Sequence, residues 1–168
     1  MQVREARRGD AEAVHELLVG IYAEGGSFVS DGAESLNHLA MRLGSRVPSR
    51  SLYLVATLEG EVVGWLELHR SPARRLEHVA VLTLAVAPGA RRRGVGRALM
   101  RAAYGWCQRV GALKISLHVR AQNDAAVRLY LAEGFEVEGR ERNHVRLVDG
   151  EGEGFEDNLI MGRWLPEG

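Results

Sequence analysis

The sequence predicts an α/β fold built on a mixed sheet, and three observations predict it. His78 to Val86 is a long, almost wholly apolar run, the composition of a strand covered on both faces. Four segments carry apolar residues at helical spacing. The strand-like and helix-like segments follow the order strand, two helices, three strands, helix, strand, helix, two strands. The 168 residues are of ordinary size for one domain, and no linker, repeat or low-complexity tract divides them. A single domain over 1–168 is expected.

Gln2 to Ala6 alternates and reads as a short strand. Asp10 suits the N-cap of a helix whose Val14, Leu17, Leu18, Ile21 and Tyr22 share one face, and Gly25-Gly26 ends it. Leu36, Leu39, Ala40 and Leu43 mark a second helix, with Pro48 beyond its end. Between the two lies a loop, 27–32, that carries Phe28. Leu52 to Leu58 and Val62 to His69 form a hairpin around Glu59-Gly60-Glu61. Ser71 to Arg75 is a loop, and the central strand from His78 to Val86 follows. A third helix shows Val95, Leu99, Ala102, Ala103 and Trp106 on one face and ends near Gly111. Lys114 to Val119 is a strand. Asn123 or Asp124 caps a short helix with Ala126, Leu129 and Tyr130 inward and Gly134 closing it. Phe135 to Val148 and Phe155 to Trp164 close the sheet, with a turn beginning at Asp149-Gly150.

Composition narrows the function. Formal net charge is zero, which argues against a general nucleic-acid binder. No apolar run approaches the ~20 residues that span a bilayer, so no membrane partner is expected. Cys107 is the only cysteine. It permits no internal disulfide, and a reducing cytoplasm is the expected location.

The chemistry concentrates where the central strand ends. Leu84-Ala85-Val86-Ala87 runs into Pro88-Gly89, three arginines and two glycines, then a helix. A glycine-rich turn opening a helix offers free N–H groups and the positive end of the helix dipole, which suits a phosphate. A P-loop is excluded, because Val95 and Arg97 stand where Lys-Ser/Thr would follow the glycines. A dinucleotide fingerprint is excluded by Leu99, three residues past Gly96.

What remains is Arg91-x-x-Gly94-x-Gly96 directly after a buried strand. It resembles the coenzyme A pyrophosphate loop of the GNAT superfamily of N-acetyltransferases. A second segment, Asn123-x-x-Ala126-x-x-x-Tyr130-x-x-x-Gly134-Phe135, begins 29 residues after Gly94 and is similar to that family's other signature. The resemblance is strongest from Leu84 to Phe135 and covers nearly the whole chain. The ending, with Asp149-Gly150, Asp157 and Met161, looks like a subgroup acting on small amines or amino-acid derivatives.

The resemblance implies a mostly antiparallel central sheet of about seven strands with about four helices on its faces. It implies an N-acetyltransferase that moves an acetyl group from acetyl-CoA to a primary amine of a small molecule, without a metal. The acceptor would be an amino acid, an amino-acid derivative or a polyamine, acetylated by direct attack in a ternary complex. A protein or peptide acetyltransferase and a non-catalytic acyl-CoA sensor are the alternatives. The pyrophosphate would be held by the amides of Arg91, Arg92, Arg93, Gly94, Val95, Gly96 and Arg97. The pantothenyl arm would pair with Leu84, Ala85 and Val86, and Asn123 would bond the coenzyme, cap its helix, or do both. The Leu84 N–H would face the thioester carbonyl. Tyr130 would protonate the leaving thiolate; the competing reading is a core tyrosine.

The base stays open. A family glutamate would fall at Ala80, which accepts no proton. His78 shares the parity of Ala80, with Glu77 beside it, and Glu67 lies on the preceding strand. Loss of the proton to water is the third option. Cys107, with no histidine at helical spacing, reads as structural. Glu24, Phe28, Arg142 and His144 lie in segments that border the acceptor site in relatives. Dimers are common in the family, which makes a homodimer an expectation, with Trp164 the candidate contact.

Overall fold

The structure, a computed structural model, describes residues 1–148 and 150–165. Its elements are β1 (Gln2–Glu5), α1 (Ala11–Glu24), α2 (Leu36–Gly44), β2 (Ser51–Leu58), β3 (Glu61–Arg70), β4 (Val79–Val86), α3 (Val95–Val110), β5 (Lys114–Arg120), α4 (Asp124–Ala132), β6 (Glu136–Arg146) and β7 (Phe155–Trp164). The seven strands form one sheet in the order β1-β2-β3-β4-β5-β7-β6. Only β4 and β5 run parallel. The mostly antiparallel seven-stranded sheet with four helices is therefore present.

The two sheet faces carry separate cores. Leu66, Leu68, Ala80, Leu82, Leu117 and Met161 pack against α3 on one face. Trp65 and Ala85 point the other way and meet Val14, Leu18, Ile21 and Leu39 of α1 and α2. Alternation along each strand produces this division. Gly64 of β3 fixes how near α3 comes. A Cβ there would lie 2.7 Å from Val95 Cγ1 and 3.0 Å from a Leu99 methyl, so the first turn of α3 rests on bare backbone.

Local chemistry moves several expected boundaries. Asp10 sits at the N-cap of α1, but its carboxylate does not cap the helix. It takes two 2.7 Å bonds from Arg4 and a third from the Arg7 N–H. Ser35 does cap α2, accepting from the His38 N–H. The β2–β3 turn is only Glu59-Gly60, both with positive φ, and Glu61 already belongs to the strand. His78 is not in β4; it lies in the turn ahead of it. Phe135 precedes β6 and is buried, its N–H bonded to the Tyr130 carbonyl. The β6 ladder stops at Arg146 rather than Val148. Asp149, expected to begin the last turn, lies outside the described residues.

Candidate active site

The order of hydrogen bonds along β4 explains where a cleft opens. Ala87 N–H donates to the Val63 carbonyl at 2.9 Å, and the register keeps Ala85 opposite Trp65 and Thr83 opposite Glu67. Bonded and non-bonded pairs alternate in an antiparallel ladder. Leu82, Leu84 and Val86 therefore aim their backbone groups away from β3, toward β5. The parallel pairing with β5 stops at Val81–Ser116. Beyond it the strands part, and the Leu84 and Val86 N–H groups face an open edge. A cleft of about 880 Å³ occupies this gap and runs from the α3–α4 face of the sheet to the α1–α2 face.

On the α3–α4 face the cleft meets the glycine loop. Arg92 and Gly94 hold left-handed φ values of 58° and 81°, which turn the chain sharply into α3. Gly94 costs nothing in that conformation. The first N–H groups of α3 have no partner within the helix. A Cβ on Gly96 would lie 2.9 Å from a Leu129 methyl, so α4 packs against this turn as if no side chain were allowed there.

The arginines of this turn differ in role. Arg91 is bound to Glu24 at 2.5 Å and donates from Nε to the Val86 carbonyl at 3.2 Å. Arg97 is bound to Glu133 at 2.7 Å. Arg92 and Arg128 line the cleft without an ion pair among the described residues. Arg93 is not among the lining residues. Leu84, Ala85, Val86, Val95 and Asn123 are, and Asn123 Oδ1 also caps α4 by accepting from the Ala126 N–H at 3.2 Å.

Tyr130 stands at the gap. It is 6% exposed, its ring lies 5.6 Å from that of Phe135, and no protein partner for its hydroxyl is found among the described residues. Burial pushes the phenol well above its ordinary range, so it is protonated at neutral pH.

The three candidates for the base separate. Glu67 lines the cleft on the α1–α2 face. Burial raises its pKa, but His69 and the Arg42 guanidinium 3.1 Å away outweigh that and leave the carboxyl below its usual range. His78 is not brought to the cleft. It packs its ring 6.1 Å from that of Trp164, and six residues of extended chain place it about 20 Å from Leu84. Glu77 is exposed in the same turn. Two residues that sequence reasoning missed are present instead. His118 of β5 lines the cleft, with Nδ1 3.2 Å from Asn158 Nδ2 and 3.6 Å from Glu141 Oε2. Asn158 is 1% exposed, donates to Glu141 at 2.7 Å and leaves its Oδ1 without a partner among the described residues. Strand parity could have flagged both: His118 alternates with buried Leu117 and Val119, and Asn158 is a polar residue opening an apolar run.

Of the other border residues, Phe28 lines the cleft, its ring 4.9 Å from Tyr22. Glu24 is held by Arg91, and Arg142 and His144 are exposed outside the lining. Cys107 is fully buried, and burial pushes its thiol up to about 12, which makes it inert as a nucleophile. Trp164 is 61% exposed.

The family described as "Acetyltransferase (GNAT) family" matches residues 12–135, most of the chain. The chain belongs to the GNAT family. Among GNAT relatives, an L-amino acid N-acetyltransferase of Escherichia coli K12 is 35% identical over 111 residues, 66% of this chain and 66% of its own length. A mycothiol acetyltransferase of Renibacterium salmoninarum is 38% identical over 71 residues, 42% of this chain and 21% of its own length. The chain thus spans two thirds or less of the length of these curated relatives. A GNAT phosphinothricin acetyltransferase from Sinorhizobium meliloti, solved with acetyl-CoA, superposes with a TM-score of 0.87 at 22% identity, covering 99% of this chain and 89% of that one. Its fold is this fold. Among the described residues no helix is long and apolar enough to cross a membrane.

Proposed function

We propose that this GNAT protein transfers an acetyl group from acetyl-CoA to a primary amine of a small molecule, by direct attack in a ternary complex. The observation that carries the reading is the parted edge of β4. It joins a row of free amides to a helix N-terminus at one end and a protonated phenol beside it. Acetyl-CoA fits these residues: the Val86 edge turned away from β3 suits an extended arm, and the bare Gly96 backbone beside Arg92 and Arg128, without ion pairs among the described residues, suits a pyrophosphate.

Acetyl-CoA supplies an activated thioester, whose acyl carbon the amine attacks as the carbon–sulfur bond breaks. The Leu84 N–H donates to the carbonyl oxygen as charge builds on it, a fixed donor of the kind worth about 3–4 kcal/mol of barrier. Tyr130 gives its proton to the departing sulfur. Burial keeps the phenol protonated until the sulfur departs, and the same dry surroundings disfavour a bare thiolate. The ammonium proton leaves through water to Glu67. His118 does not suit that role: its Nδ1 accepts from Asn158 Nδ2 at 3.2 Å, so Nε2 carries the ring hydrogen.

A small acceptor is favoured because the α1–α2 and β6–β7 loops are tied to each other beside Ser27 and Arg120 of the cleft wall. Glu151, in the β6–β7 loop, accepts from the Gly26 N–H of the α1–α2 loop at 2.6 Å and from Arg120 at 2.5 Å.

Acetyl-CoA at a hundredfold excess over its Kd is expected to raise the melting temperature by about 5–10 °C. No shift at millimolar coenzyme refutes the reading. A screen of amines that follows thiol release separates an enzyme from a sensor: coenzyme bound without thiol release across amino acids, amines and peptides supports the sensor. Glu67→Gln is expected to lower kcat/KM in the folded variant; an unchanged value assigns the proton to water.

A further inference from the structure

The charges along the cleft are sorted by sheet face. On the α3–α4 face two arginines, Arg92 and Arg128, stand without ion pairs among the described residues. On the α1–α2 face, where an acceptor amine must enter once the coenzyme fills the other side, two arginines also line the wall. Neither is free.

Arg42 spends every N–H it has. Nε and Nη2 grip both oxygens of Glu34, Nη2 also donates to Glu67 at 3.1 Å, and Nη1 reaches the Tyr53 hydroxyl and His69 Nε2. Arg120 is 3% exposed, held by Glu156 from Nε at 2.8 Å and Nη2 at 2.6 Å, with Nη1 on Glu151. Each arginine therefore sits between two carboxylates, and each group carries one negative charge in excess when the neighbouring histidines are neutral. The surroundings of Glu67 and of Glu151 both hold their carboxyls below the usual range, and Glu151 falls to about 2, so the charges persist at neutral pH. The unpartnered, buried Oδ1 of Asn158 adds a hydrogen-bond acceptor to the same wall. Exposed Arg142 on β6 is not among the lining residues.

Among the described residues this wall has acceptors for an ammonium and no unpaired arginine or lysine for a carboxylate. Resting on the transferase reading above, we propose that the acceptor is an amine with no carboxylate beside it, and that free α-amino acids are discriminated against on the α1–α2 face. A small alkyl amine, an amino-acid amide and a peptidyl N-terminus share that chemistry. Phe28, Tyr22 and Leu18 on the same wall suit an apolar body next to the amine.

The test uses matched pairs, L-leucinamide against L-leucine and L-phenylalaninamide against L-phenylalanine, each with saturating acetyl-CoA and with kcat/KM expressed per deprotonated amine, since removing the carboxylate also lowers the amine's own pKa. The amides are expected to exceed the acids in kcat/KM by about tenfold or more, since an unpaired like charge on a desolvated wall is strongly disfavoured. Equal rates, or faster acids, overturn this inference and leave the transferase reading intact. No turnover of any member with acetyl-CoA bound counts against the transferase reading and takes the inference with it. Isoamylamine and a leucine-initiated hexapeptide separate the sources. Either one matching or exceeding leucinamide supports the proposal and names the source, whereas a preference for free leucine over both overturns it. Glu34→Gln leaves Arg42 facing one carboxylate and is expected to narrow the leucinamide-to-leucine ratio by about threefold or more. A ratio that stays put in the folded variant overturns the assignment of selectivity to this wall.

Discussion

Tyr130→Phe is expected to lower kcat by about a hundredfold while acetyl-CoA binds nearly as before. The substitution is unusually clean. The ring keeps its contact with Phe135, and the lost hydroxyl has no protein partner among the described residues, so no buried group is orphaned. Stability is therefore expected to change little. What disappears is a protonated donor at the point where β4 and β5 part. The measurement is kcat at saturating coenzyme and acceptor, beside a coenzyme titration of the same variant. An unchanged kcat removes the acid role and leaves Tyr130 as packing. A raised coenzyme Kd with kcat intact would instead mark the hydroxyl as a binding contact.

Gly96→Glu is expected to weaken acetyl-CoA by more than about a hundredfold. Two effects act together. The new Cβ would lie 2.9 Å from a Leu129 methyl and 3.5 Å from a Leu84 methyl, so the side chain must either displace α4 or project into the cleft. Its carboxylate would also stand at a helix N-terminus that the proposed pyrophosphate needs, and like charges in such a site cost several kcal/mol. Gly89→Ala in the same turn is the control, because a Cβ there meets nothing within 4 Å. Calorimetric titration of both variants, with the melting curve of each taken without ligand, decides the matter. A folded Gly96→Glu protein that keeps micromolar binding moves the cradle elsewhere.

Most of the residues that line this candidate site were legible in the sequence because they are local. A strand running into Pro88-Gly89, a left-handed Gly94 and a helix start occupy consecutive residues, and backbone sterics dictate their geometry. Asn123 and Tyr130 fall on one short helix, whose spacing sets their relation. His78 misled because parity along β4 says which face a residue shares but not how far along the strand the cleft reaches. The strand begins at Val79, and the gap opens only past Val81.

The sequence by itself determined the family, the order of elements, and the turn of bare backbone that opens α3, since each depends on neighbours in the chain. Tertiary structure alone decided where two parallel strands stop pairing, and so which N–H groups stay free. It alone brought His118, Asn158 and Glu141 together from three strands, and it neutralised Arg42 and Arg120 with carboxylates distant in sequence. Charges count in a site by what surrounds them, and those surroundings are assembled by contacts between residues far apart in the chain.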